Sequence, residues 1–213
     1  MNTEDIMHQI TDEGAARPLL HPAQQSILWL VGINVYLLIS LVFDGFRPDV
    51  MDKLNSTAFL VELFMLFIIG MSATFAAFCL SRPDDFQMPW IKYLPFPLLL
   101  IWGVFVFLSA GEHLQLHNLI NSVALVEIHC PIHILGFSVV PAIVIFFLVR
   151  MGAAVRYYWA GIMSTLSVTA FAYLFMRLVE NNDNPAHLLV WHALPILLLC
   201  IIGMFIGRKT LRW

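Results

Sequence analysis

Long uninterrupted runs of apolar residues, separated by short polar stretches, make up nearly the whole chain. They fall near 27–43, 58–78, 94–110, 131–149, 157–175 and 187–206. Each is close to the roughly 17 to 25 residues a helix needs to cross a bilayer, and none alternates with the period of two expected of a barrel strand. Lipid offers no partner for backbone N–H and C=O groups, so runs of this kind must form helices that satisfy their own bonds. The pattern predicts an all-α integral membrane protein: a six-transmembrane-helix bundle over 26–213, preceded by a short arm over 1–25.

Composition supports this reading. The chain is 60 % hydrophobic and only 12 % charged, against about 25 % charge in soluble domains. The opening Asn2-Thr3-Glu4-Asp5 lacks the basic start of a cleaved signal, so the first span is expected to persist. A net charge of −3 without a strong basic cluster argues against direct nucleic-acid binding.

The distribution of Lys and Arg predicts orientation. With the N-terminus inside, the inner segments hold Arg17, Arg82, Lys92, Arg150, Arg156, Arg208, Lys209 and Arg212, and the outer ones hold Arg47, Lys53 and Arg177. That bias places both termini in the cytoplasm. Trp29, Trp90, Trp159 and Trp213 lie near predicted span ends, where interfacial anchors are expected.

In the arm, Asn2 and Asp5 suit a helix start, and Ile6, Met7 and Ile10 form a short apolar stripe before Asp12-Glu13-Gly14 and the stiff Pro18 and Pro22. So short a helix is marginal in water and orders only against a partner. Two readings fit: a helical bait for a groove on a soluble protein, or a frayed terminus with a chance stripe.

Polar residues gather towards the outer face: Glu112, His113, His117, Glu127, His129, Cys130, His133, Glu180, His187 and His192. His113 and His117 are spaced i, i+4, as are His129 and His133 with Cys130 between them. On a helix these pairs can chelate a metal, copper or zinc given the soft thiol. The alternative is interfacial solvation, since histidines near a bilayer surface often only reach for water. The apolar positions of 111–130 suggest a helix on the outer surface. Glu62 lies one turn inside the second span, where the expected role is a hydrogen bond to a neighbouring helix or a protonated side chain near the interface, with a proton relay as the alternative. Arg177 and Glu180 are spaced to pair.

Gly203 and Gly207, with Ala160, Gly161 and Ser164, allow helices to approach closely, within one bundle or in a homo-oligomer. The three cysteines, Cys79, Cys130 and Cys200, have no paired spacing. Phosphate-loop, nucleophile-elbow and HExxH motifs are absent from the sequence, which argues against an enzyme. Pro141 and Pro195 are the only hints of the broken helices of a transporter.

Several stretches carry a resemblance. They are Phe59-Leu60-Val61-Glu62-Leu63, Ser72-Ala73-Thr74-Phe75-Ala76-Ala77, Pro83, Leu94-Pro95, Ile101-Trp102 and Cys130-Pro131. The most specific lie at the end: Arg177-Leu178, Asn182-Asp183-Asn184-Pro185, Val190-Trp191-His192 and Gly207-Arg208-Lys209-Thr210-Leu211-Arg212-Trp213. Over essentially its whole length the chain resembles the NrsF family of six-span membrane anti-sigma factors, bacterial proteins that hold an extracytoplasmic-function sigma factor inactive at the inner membrane.

The resemblance implies that Ile6, Met7 and Ile10 bind the sigma factor and that the membrane part receives an outer signal of metal or redox stress. It also implies two outer-face cysteines. Cys130 matches the first, and Glu180 stands where the second would fall, so a disulfide within the chain is not expected there. A metal site is still open, with Glu180 as a harder ligand beside Cys130 and nearby histidines. The competing reading is a membrane metal-handling protein, carrier or chaperone, with a histidine-rich outer rim.

Overall fold

The computed structural model describes residues 20–83, 88–110 and 129–212, which are mostly helical and contain no strand. Helix α1 (Pro22–Asp44) is followed by the short α2 (Val50–Leu54) and by α3 (Thr57–Leu80). A 3-10 turn (Ile91–Tyr93) precedes α4 (Pro95–Ala110), and α5 (His129–Arg150) and α6 (Tyr157–Val179) follow. The last span is built from α7 (Pro185–His187), a π-helical turn (Leu188–Ala193) and α8 (Leu194–Thr210). Among the described residues six helices are long and apolar enough to cross a membrane. The protein is an all-α, six-span, multi-pass membrane protein.

Successive spans alternate in direction and give the bundle two ends. The α2 end carries α2, the start of α5 and the segment 180–184, and the opposite, terminal end carries Leu20, 151–156 and Arg212. Helix α6 is the central rod, packed against α1, α3, α5 and α8. It is the least hydropathic of the six spans and the most enclosed, with 83 % of its most apolar window buried. The two facts have one cause. Lipid-facing helices need apolar side chains all round, whereas a helix screened by its neighbours can use small and hydroxyl residues to pack closely.

That packing is tightest between α6 and α8. A Cβ placed on Gly161 would lie 2.3 Å from the Gly203 carbonyl oxygen and 3.0 Å from Gly207 Cα, so the glycine step brings two helices of one chain together. Polar side chains join the spans at depth. Trp29 Nε1 donates to Ser167 Oγ at 3.3 Å, and Ser167 Oγ lies 2.6 Å from Thr74 Oγ1, tying α1, α3 and α6. Trp29 is thus buried in the core, a correction to its expected place at the interface: its indole N–H finds a protein hydroxyl instead of water. On α5, Pro141 has no N–H for the Phe137 carbonyl, and Tyr36 of α1 donates its hydroxyl there at 3.3 Å.

Candidate functional site

At the α2 end four ligand-type side chains from three elements converge. Cys130 lies in the first turn of α5, Glu180 follows the last residue of α6, His187 ends α7 and His192 lies within the π-helical turn. Cys130 Sγ lies 3.3 Å from Glu180 Oε1 and 3.6 Å from His187 Nε2. Glu180 Oε1 is 2.8 Å from His187 Nε2, and Oε2 is 2.9 Å from His192 Nε2. The four ligand atoms all lie within 4.8 Å of one another. Cys130, His187 and His192 are buried.

Local geometry explains how the histidines meet. In an α-helix residues five apart point about 140° apart, so His187 and His192 would face different neighbours. Bonds that run i→i+5 through the π turn bring such residues back to one side, and the rings stand 5.2 Å apart, both beside Glu180. Burial raises the Glu180 carboxyl pKa, but the imidazoles of His187 and His192 outweigh it and hold the group well below the usual carboxylate range.

The donor set fits a borderline-soft cation. Bonds of 2.0–2.3 Å to sulfur, nitrogen and oxygen give a tetrahedron with edges of about 3.3–3.7 Å, near the Cys130 separations. Glu180 Oε2 and both His192 ring nitrogens are buried without an aligned hydrogen bond, despite the short His192–Glu180 approach. Orphaned polar atoms of this kind are costly, and a cation at the centre of the cluster would take up Glu180 Oε2 and the His192 Nε2 beside it.

A second polar cluster adjoins the first. Arg47, fully buried, binds Asp49 through Nε at 2.7 Å and Asp183 through Nη1 and Nη2 at 3.0 and 2.9 Å. Asp183 also pairs with Lys53 and with Arg177 Nη1 at 2.8 Å. Arg177 Nη2 reaches Glu62 at 3.0 Å, and Tyr173 donates to the same carboxylate at 3.3 Å. The segment Asn182-Asp183-Asn184-Pro185 now has a role at each position. Asn182 Oδ1 accepts from Asn184 N, Asp183 gathers three cations, Asn184 caps α7, and Pro185 fills the first turn, where no N–H is needed. Burial raises the Asp183 pKa, but Arg47, Lys53 and Arg177 together hold it well below the usual range.

The structure brings Cys130 and Glu180 into contact. His129 and His133 face another way and lean on each other, ring centroids 4.3 Å apart. They do not share the Cys130 cluster: His129 is exposed and His133 only half-buried, and neither is among the ligand atoms gathered around the buried thiol. The expected Arg177–Glu180 pair is also corrected. Helix α6 ends at Val179 and Glu180 is extended, which turns it to the histidines while Arg177 binds Glu62 and Asp183. Glu62 has the hydrogen-bonded role expected of it. Ile6, Met7, Ile10, His113 and His117 lie outside the described residues. His187 and His192 were visible only as outer-face polar residues; the signal for their meeting is Pro195, which cannot donate to the residue-191 carbonyl and crowds it.

Fold and site define a six-span membrane protein with a buried thiol, carboxylate and imidazole cluster at one end. The family model described as NrsF, negative regulator of sigma F, matches residues 10–213. Neither a curated protein nor a solved structure matches. The chain belongs to the NrsF family, whose name makes it a negative regulator of a sigma factor.

Proposed function

We propose that the protein is a membrane-bound anti-sigma factor that holds an extracytoplasmic-function sigma factor at the bacterial inner membrane and releases it when copper or zinc engages the outer cluster. The observation that carries the signal half is the convergence of Cys130, Glu180, His187 and His192 within 4.8 Å. In this reading both termini are cytoplasmic, as the Lys and Arg bias suggests, and the N-terminal segment is the handle for the sigma factor. Ile6, Met7 and Ile10 form the apolar face that docks. The protein acts by binding and not by catalysis.

The route between the ends is α6. Glu180 directly follows it, and Tyr173 and Arg177 occupy its last turns, so the way Glu180 is held bears on the helix at the centre of the bundle. A ligand shifts such a bundle only by binding one arrangement more tightly than another. The test is to co-express the full chain with the sigma factor encoded beside it and delete residues 2–13. Sigma-dependent transcription is expected to rise to the level without the protein. Continued repression would remove the arm from the account.

A further inference from the structure

We propose that the seam between α5, α6 and α8 is a binding site for one anionic glycerophospholipid. A groove of about 510 Å³ runs along this seam. On α5 its wall includes Leu135, Val139, Ile143 and Phe147, spaced four apart, and ends at Arg150. From residue 135 to 150 the wall is about 22 Å long at 1.5 Å per residue, enough for the roughly 15 Å of one leaflet's hydrocarbon.

The floor holds one buried hydroxyl without a hydrogen-bond partner, that of Ser138. Thr165 and Thr169 line it, but their hydroxyls donate to the carbonyls of Gly161 and Thr165 on their own helix, at 3.0 and 2.9 Å. An acyl chain suits such a slot.

The mouth is cationic. Arg150 and Thr210 line it. Lys209, on the side of α8 that carries Ile202 and Ile206, borders a second hollow with Phe205, Arg208 and, past the helix end, Arg212, while Arg208 lies over the Tyr158 ring. Among the described residues no carboxylate pairs with any of these four cations, whereas Arg47, Lys53 and Arg177 at the other end are all paired. An apolar slot that opens onto cations with no carboxylate partner among the described residues complements a molecule with a hydrocarbon tail and a phosphate head. The groove between α1 and α5, about 610 Å³ and lined by Leu28 and Val144, has no cationic residue in its wall and serves as the internal control.

The test is native mass spectrometry of the full chain in detergent, offered equal amounts of dioleoylphosphatidylglycerol and dioleoylphosphatidylcholine. One phosphatidylglycerol is expected to be retained preferentially. The preference should fall about fivefold for each cation removed in Arg150→Gln and Lys209→Gln, as expected for a charge near an anionic headgroup. Val139→Trp, which fills the groove, should lower retention, and Leu28→Trp in the control groove should not. Should the charge variants fail to fold, raising the ammonium acetate concentration on the unaltered chain must weaken the preference. Equal retention of the two lipids, or a preference that survives both charge substitutions and salt, would overturn the proposal.

Discussion

Tyr173 stands edge-on to His192, ring centroids 5.1 Å apart, while its hydroxyl donates to Glu62. One side chain of the central helix therefore touches both polar clusters of the α2 end. On one side are Cys130, Glu180 and the two histidines, and on the other is the ion-pair network of Glu62, Arg177, Asp183 and Arg47.

The network has a hierarchy that mutation can expose. Arg177 and Glu62 are both nearly inaccessible, with 5 % and 8 % of their side chains exposed. Arg177→Met strands a buried carboxylate and should cost about 3–5 kcal/mol, read as thermal unfolding in detergent. Adding Glu62→Gln removes the stranded charge and should recover much of the loss. A double variant no more stable than Arg177→Met would show that the carboxylate is not the source of the cost.

Asp183 is one of the carboxylates, with Glu180, that make stability respond to acid. Its folded pKa is depressed below the ordinary 3.8, so the unfolded chain takes up its proton first as the pH falls. The stabilisation is present above the unfolded value and is lost as the pH drops through the folded one. Its contribution to the melting temperature should be constant between pH 7 and 5 and shrink only below about pH 4. Asp183→Asn should lower stability at neutral pH and flatten that acid step.

Close approach of α6 and α8 depends on the absence of side chains. Gly161→Ala puts a methyl against the Gly203 carbonyl oxygen and should destabilise the bundle by about 1–3 kcal/mol through overpacking. Gly103→Ala on α4 meets nothing within 4 Å and should cause no loss. Equal effects of the two, measured by unfolding in the same detergent, would contradict the packing account.

The architecture was legible because lipid imposes one simple demand, a helix of sufficient apolar length, and six runs meet it. Cys130 and Glu180 were linked through resemblance, and the geometry gives that link a distance. The histidines were not paired with each other because the ordinary helical period separates residues five apart, and only the π turn before Pro195 reunites them. Arg177 misled for a related reason: the i, i+3 rule presumes a helix that continues, and α6 stops before Glu180. Its true partner, Glu62, lies 115 residues away, beyond any local spacing rule.

Command of the sigma factor from the opposite face is tested most directly by transcription from a sigma-dependent promoter as copper and zinc are titrated onto cells. Three full-length chains are compared: unaltered, Cys130→Ser and Glu180→Gln. The unaltered chain should derepress as the metal rises. Both variants should repress in its absence yet need more than about tenfold higher metal for the same response. Identical dose responses from all three chains would contradict the account.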